Sequence, residues 1–379
     1  MPERIVLITG ATGAVGSAVV PVFLEDPATD VRLLMRADSE AHLQQRLRDL
    51  LAFWQPELKV DAELLARIKP LRGDVAEPRL GLTDSEYETL ACELTHIVHS
   101  AANVKMNMSL EAARRISVDS TRGIVALAEA CQDKSQFCKL EYISTIGVAG
   151  KMCGLVPERP LTESREFHNT YESSKAEAET FILGRMKAGL PATIHRPSMV
   201  VGDSRTGKII HFQVFYHLCT FLSGRHTHGI LPNLAGSCLD IVPADYVARA
   251  IVSSSGQLDR VGDILHLCSG PEHAVRLTEL QDAVAKTFSE YGKTPRTLTV
   301  PAAIFKSLVA LLQWVAGKKG GRSLGALSIL LDYLEESRVQ FFDSTQTRAL
   351  LAEKGITLPP AETYVQGVLR YYLQSKHPG

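Results

Sequence analysis

Thr9-Gly10-Ala11-Thr12-Gly13-Ala14-Val15-Gly16 is the stretch on which the reading of this chain turns. It stands between a β-branched apolar run, RIVLIT at 4–9, and a helical stretch reaching to about residue 25. Such a run suits a buried parallel strand, and T-G-x-x-G-x-x-G carries meaning only in that strand–turn–helix setting. Gly10 allows a tight turn, Gly13 lets the backbone approach a pyrophosphate, and Gly16 lets the helix pack closely on the sheet. The helix N-terminus then offers free N–H groups and a positive dipole to phosphates. Thr9, Gly10, Thr12, Gly13, Ala14, Val15 and Gly16 are therefore the expected phosphate-side contacts. No Lys-Ser/Thr pair follows, so the loop is not a Walker A sequence. Pro21 stands inside the helical stretch, where an interior proline costs about 3 kcal/mol, and a kink is expected there.

Outward from the loop, strand-like runs at 31–35, 68–72, 96–100, 140–144 and 192–195 alternate with helical stretches at 110–131 and 171–187. Ser39 can cap a further helix in which Leu43, Leu47, Leu50 and Trp54 keep a helical spacing. This alternation predicts an α/β fold, a Rossmann-type doubly wound parallel sheet with helices on both faces. It weakens after about Gly202. Residues 239–253 again read as strand then helix, and the last 80 or so are mainly helical. The expected division is a dinucleotide-binding domain over 1–203, with 238–256 returning to it, and a smaller, mainly helical substrate-binding lobe over 204–379.

Composition limits the function classes. The 379 residues carry 41 basic and 42 acidic side chains, a net charge of −1, with 45% hydrophobic and 22% charged residues. That balance is globular rather than disordered and supplies no general basic field for nucleic acid. No apolar run reaches membrane-spanning length; the greasiest stretch, 304–316, is broken by Lys306, Ser307 and Gln313. The strand begins within four residues of the N-terminus, leaving no room for a signal peptide. The seven cysteines are scattered and never C-x-x-C, so reduced thiols in a cytoplasmic protein are expected.

Three groups of residues carry the chemistry. Where an NAD site commonly has an acidic residue, Arg36 stands ready to grip a 2′-phosphate, with Arg46 following on the helix. That favours NADP, although Asp38 offers itself to a ribose hydroxyl. Asp74 and Val75, after Gly73, are placed to lie along an adenine. Tyr171 and Lys175 form Y-x-x-x-K, four apart and so on one helix face. A free phenol has a pKa of about 10, and a nearby cation lowers it toward acid–base use. Upstream, Tyr142-Ile143-Ser144-Thr145 ends a strand and presents a hydroxyl, Ser144 or Thr145, at the sheet's C-terminal edge, where it can stabilise an oxyanion.

With these blocks the chain resembles the extended short-chain dehydrogenase/reductases. Within them it is most similar to the thioester reductases: terminal reductase domains of nonribosomal peptide synthetases and carboxylic acid reductases, and fatty acyl-CoA reductases. The resemblance covers about residues 4–280. Further blocks carry it: Leu34-Met35-Arg36-Ala37 with Arg46; Gly73-Asp74-Val75 with Pro78, Leu80, Gly81 and Leu82; His99-Ser100-Ala101-Ala102-Asn103-Val104; Arg196-Pro197; Gly202-Asp203-Ser204-Arg205-Thr206-Gly207; and Val242-Pro243-Ala244-Asp245. It implies that Thr145, rather than its neighbour Ser144, is the catalytic hydroxyl beside Tyr171 and Lys175. It also implies that Ser100, Ala101, Ala102, Pro197, Ser198 and Val200 line the cofactor together with Tyr171 and Lys175. The implied reaction is hydride transfer from NADPH to an acyl thioester, delivered by coenzyme A or a carrier protein, giving an aldehyde and in some relatives the alcohol. The chain carries no adenylation or carrier domain, so it would act in trans.

One departure stands out. The asparagine many extended members carry in the helix after the H-x-x-A stretch is Ser117 here, so a proton relay through that asparagine does not transfer. The portion from about residue 300 matches only loosely. A sugar-nucleotide epimerase or dehydratase, or a hydroxysteroid dehydrogenase, would use the same Thr/Tyr/Lys set. A non-enzymatic dinucleotide sensor would not need Tyr171 or Lys175, and both are present. His226 and His228 form H-x-H without a carboxylate or cysteine cluster, so no metal is expected. The basic run Lys318-Lys319-Gly320-Gly321-Arg322 reads as a solvated loop or as a dock for an acidic carrier protein or coenzyme A phosphates.

Overall fold

The alternating segments become a seven-stranded sheet, seen in a computed structural model that describes residues 3–103, 108–225, 227–301, 303–305, 307 and 339–376. Val104, His226, most of 304–316 and the basic run at 318–322 lie outside the described residues. In chain order the strands are β1 (Arg4–Thr9), β2 (Thr29–Met35), β3 (Ile68–Arg72), β4 (His96–His99), β5 (Lys139–Ile143), β6 (Ala192–Pro197) and β7 (Ile264–Leu267). They lie side by side as β7-β6-β5-β4-β1-β2-β3, and every neighbouring pair is parallel. Strand order reverses between β1 and β4. Ligands of doubly wound sheets bind in the crevice outside the carboxyl ends of the strands at such a reversal.

Helices cover both faces, so strand residues of either parity are buried. Val6 and Ile8 pack toward α1 (Gly16–Leu24) and α2 (Glu40–Trp54), whereas Leu7 packs toward α3 (Asp84–Glu93), α4 (Ser120–Lys134) and α5 (Thr170–Lys187). Helix α6 (Ala244–Ser255) returns to the first face and packs on α1. Strand β7 also comes from beyond residue 256, inside the stretch expected as the lobe, and pairs with β6. A second core joins Val214–Leu222, Leu277–Ser289 and Ala361–Lys376. Ala14 of the glycine loop belongs to that core, which ties the loop to the lobe. Among the described residues, no helix is long and apolar enough to cross a membrane.

One helix departs from the sequence expectation. The stretch expected as one helix over 110–131 is Leu110–Arg114, a π-helical turn at Arg115–Asp119, and then α4. Helix α1 includes Pro21 and ends at Leu24, close to the expected end at about residue 25. Pro21 has no N–H to give to the Ser17 carbonyl one turn back. The indole Nε1–H of Trp54 donates to that carbonyl instead, at 2.7 Å. Trp54 ends the buried stripe Leu43, Leu47, Leu50, Trp54 of α2, whose N-terminus Ser39 caps by accepting from the His42 N–H. The stripe therefore also repairs the neighbouring helix. Trp54→Phe keeps an aromatic ring but leaves the Ser17 carbonyl buried and unsatisfied. It is expected to lower unfolding free energy by about 1–3 kcal/mol, measured by urea titration. An unchanged midpoint would show that the indole bond does not support α1.

Candidate active site

The glycine loop crosses the sheet's point of reversal, and sterics dictate its residues. Gly10 has φ +73°, and a Cβ on it would lie 2.7 Å from the Ala101 backbone nitrogen. A Cβ on Gly16 would lie 2.2 Å from the Gly10 carbonyl oxygen, so its closest approach is to the loop itself rather than to the sheet. A Cβ on Gly13 would meet only the Gly10 carbonyl, at 3.1 Å. No side chain caps α1, whose N-cap is Val15. Ser17 N–H donates to the Gly13 carbonyl at 3.0 Å, and the Ala18 and Val19 N–H groups donate to the Val15 carbonyl at 3.1 and 3.0 Å, so the backbone of the loop itself closes the first turn of the helix. Thr9 is fully buried and faces inward: its Oγ1 is 2.9 Å from His99 Nδ1 and accepts from the Ala101 N–H at 3.4 Å. Ser100 Oγ donates to the Thr9 carbonyl at 2.8 Å. Thr9, Ser100 and half-buried Ala101 brace β1 against β4, and Ala102 beside them is exposed.

The adenosine side is basic. Arg46 reaches from α2 to donate to Thr12 Oγ1 at 2.8 Å and to the Arg36 carbonyl at 2.7 Å. Arg36 is exposed at the end of β2. Asp38, the competing ribose ligand, turns its carboxylate onto His42, 3.2 Å from Nδ1. Asp74 accepts from the Ala76 N–H at 3.0 Å and shapes its own turn, and Val75 packs at the edge of the α3–α5 core. A Cβ on Gly73 would fall 2.5 Å from the Leu80 carbonyl, and Leu80 itself is wholly buried. Pro197 ends β6. Ser198 is buried on the side of Asp240, and Val200 packs with Val242 in the core beneath α6. These last two side chains face protein interior.

The strand-end hydroxyls separate cleanly. Ser144 is buried and donates to Glu179 Oε2 at 2.5 Å. Glu179 is also gripped by Arg196, through Nη2 to Oε1 at 2.5 Å and Nε to Oε2 at 3.2 Å. Arg196 further donates to the Arg159 carbonyl and lies 3.0 Å from His266 Nε2. Thr145 is half-buried; its Oγ1 accepts from the Gly147 N–H at 3.1 Å and lies beside the Tyr171 hydroxyl. Asn169 caps α5 by accepting from the Glu172 N–H, and Tyr171 follows in the first turn, half-buried. Lys175 is buried one turn on.

Sequence reasoning expected the cation to bring the Tyr171 pKa down. Burial instead raises it, against the opposing pull of Lys175, because a dry site disfavours phenolate more than the ammonium favours it. Burial likewise pushes Lys175 down, while Tyr171 and Glu179 pull it back up. Tyr171 therefore stands as a phenol beside a second hydroxyl, an arrangement suited to donating to a developing oxyanion.

Three residues of the site went unnoticed in the sequence. Glu179 continues the 171/175 stripe by a further four residues. His168, with Nδ1 2.9 Å from Glu172 Oε2, braces the turn before α5. Tyr142 lies among the quoted strand-end residues, and its hydroxyl accepts from Lys175 Nζ at 3.2 Å. The period-two alternation of β5, with Tyr142 opposite Ile143, was the available signal for it.

These features are those of a nucleotide-dependent oxidoreductase, and comparison with known proteins agrees. The Male sterility protein family matches residues 8–251. Isonitrile lipopeptide synthase of Streptomyces coeruleorubidus is 29% identical over 339 residues, 88% of this chain and 21% of that protein. A linear gramicidin synthase protein of Brevibacillus parabrevis is 30% identical over 266 residues, 69% of this chain and 5% of that protein. The chain thus spans only a small part of the length of these relatives. The terminal R domain of the myxalamid PKS-NRPS pathway superposes with a TM-score of 0.79 at 26% identity, covering 99% of this chain and 92% of that one. A nonribosomal peptide synthetase reductase (R) domain from Mycobacterium tuberculosis shares the fold, with a TM-score of 0.74 at 22% identity, covering 99% of this chain and 93% of that one. The fold is that of the NAD(P)-dependent reductases of the extended short-chain dehydrogenase/reductase type. The chain belongs to the Male sterility protein family.

The two strand-end hydroxyls give opposite expectations. Thr145→Ala should lower turnover on the order of 10²-fold with the protein still folded. Ser144→Ala should leave the Glu179–Arg196 pair short of a donor and cost about 1–3 kcal/mol of stability, with turnover per folded molecule close to the parent. Steady-state kinetics beside thermal unfolding distinguishes them, and the reverse pattern would exchange the two roles.

Proposed function

We propose that this chain reduces an acyl thioester with NADPH, releasing a thiol and an aldehyde. The observation that carries the reading is the half-buried Tyr171 hydroxyl beside Thr145, with Lys175 buried beneath. A reductase needs an acid at the carbonyl oxygen, and these two hydroxyls supply donors at one place. The glycine loop before α1, whose N-terminus no side chain caps, fits a pyrophosphate, and the Arg46–Thr12 bond with Arg36 alongside fits a 2′-phosphate. NADPH, when bound there, supplies a hydride to the carbonyl carbon.

In this mechanism Thr145 and Tyr171 donate hydrogen bonds to the thioester oxygen, and Tyr171 passes its proton to that oxygen as charge builds. Lys175 offsets the charge left on Tyr171 and holds the ribose. The resulting hemithioacetal collapses to the aldehyde as the carbon–sulfur bond breaks. A second turnover would give the alcohol. The substrate lobe is built from residues 204–379, without the returning 238–256 and β7. The thioester reaches it on coenzyme A or on a carrier protein. The names of the relatives, a lipopeptide synthase and a gramicidin synthase, support this class of substrate. The Thr/Tyr/Lys set alone also serves sugar-nucleotide epimerases. The paired arginines favour the reductase, because they suit the 2′-phosphate of NADPH.

The test follows NADPH absorbance on mixing the protein with acyl-CoA and acyl-pantetheine thioesters, with thiol release and products identified. Loss of NADPH matched by thiol supports the proposal. No loss with any thioester, together with NAD retained through purification, would point to an epimerase. Arg36→Ala or Arg46→Ala should raise the KM for NADPH on the order of tenfold or more, the worth of one charge-assisted contact, and leave that for NADH nearly unchanged. Equal losses for both cofactors would remove the 2′-phosphate role.

A further inference from the structure

Lys175 is more firmly placed than a helix alone could arrange. Its Nζ donates to the Ile143 carbonyl at 2.8 Å and to the Tyr142 hydroxyl at 3.2 Å, and it lies 4.6 Å from the centre of the Tyr142 ring. An ammonium has three donors, so two are committed to β5 and one is left for the site. Tyr142 is wholly buried and stacked on His99, with ring centres 5.8 Å apart.

The proton directions along this contact follow from the atoms. Thr121 Oγ1 donates to the Ser117 carbonyl at 2.6 Å, which uses its only proton. It can therefore only accept from Tyr142, whose hydroxyl lies 3.2 Å away. Tyr142 in turn gives its proton to Thr121 and keeps its oxygen lone pairs for Lys175. The chain ends in the π-helical turn Arg115–Asp119, a distortion that often marks functional places in helices. The Ser117 side chain is occupied elsewhere, 3.0 Å from Ser174 Oγ.

We propose that Tyr142 is the positioning residue for Lys175: its phenol oxygen, oriented through Thr121 and the Ser117 carbonyl, holds the ammonium in place, so no amide side chain is required at position 117. The inference builds on the reductase reading but concerns only the placement of Lys175. The titratable groups facing that ammonium are Tyr171 and Glu179 on its own helix, Tyr142 on β5, and His99 on β4. Burial holds His99 neutral, with its pKa lowered to about 3.

Tyr142→Phe keeps the ring, the stacking and the cation–ring contact and removes only the oxygen. Losing an acceptor that favours the charged form lowers an ammonium's pKa. The titration of Lys175 is followed by NMR in protein labelled at lysine, its resonance assigned by loss in Lys175→Met. The expected result is a midpoint lowered by about half a pH unit or more, with the alkaline limb of kcat moving to lower pH by the same amount. Thr121→Val, which leaves Tyr142 without an acceptor for its proton, should shift Lys175 in the same direction. This second variant carries the test if Tyr142→Phe does not fold. A Lys175 midpoint unmoved in the folded variant overturns the proposal. The titration needs no substrate. A shifted midpoint in a protein that turns over no thioester would uphold the placement and count against the thioester reading alone. An unmoved midpoint in a protein that does turn over thioester would do the reverse.

Discussion

An ammonium group taken out of water needs acceptors at fixed places, and the buried Lys175 finds them on β5. Much of the active site follows from that requirement. Helix α5 has to lie against β5 with Lys175 at the level of Ile143. Tyr171 then falls one turn nearer solvent, beside Thr145, and Glu179 one turn deeper, beside Ser144 and Arg196. A helix docked by apolar packing alone could slide or rotate with modest loss. One docked by a lysine and a carboxylate, each needing its own partners, cannot. Breaking a buried pair of this sort typically costs about 3–5 kcal/mol, because the other charge is left uncompensated.

The opposite face of the same strands repeats the device. Glu141 Oε2 lies 2.6 Å from His195 Nε2 and accepts from Ser254 Oγ at 3.1 Å. Lys139 donates to the Ser254 carbonyl at 2.8 Å and to the Gln257 carbonyl at 3.1 Å. These polar groups pin α6 to β5 and β6, while Val242, Val247 and Ile251 supply the apolar contact. Buried charges on both faces of β5 hold the centre of the sheet in one arrangement. The residues at its carboxyl edge inherit that precision, and catalysis depends on such pre-organisation.

Where local rules were sufficient, the sequence could be read directly. The strand–glycine–helix segment at 4–24 needs glycine at 10 and 16 because no other side chain fits, and that steric demand shows in the residues themselves. Leu43, Leu47, Leu50 and Trp54 keep helical spacing, and all four are buried. Tyr171 and Lys175 had to share a helix face. The π turn at Arg115–Asp119, the edge strand β7 and the partner of Trp54 were not legible, since each depends on residues remote in the chain. The net direction of the Tyr171 pKa was not legible for a related reason: the lowering pull of Lys175 can be inferred from spacing, but the dryness of the site cannot.

The sequence by itself determined the doubly wound sheet, the glycine loop at its point of reversal, and a phenol and lysine on one helix face near a pair of strand-end hydroxyls. Those depend on periodicity, steric need for glycine and fixed spacing along one helix, all of which are local. Only the tertiary structure decided that Ser144 serves the buried Glu179–Arg196 pair while Thr145 faces the site. It alone placed Arg46 against Thr12 and gave Lys175 its acceptor in Tyr142, a residue 33 positions away. The physical reason is that a polar side chain's role is set by which partner removes it from water, and that partner is chosen by packing between elements rather than by neighbours in the chain.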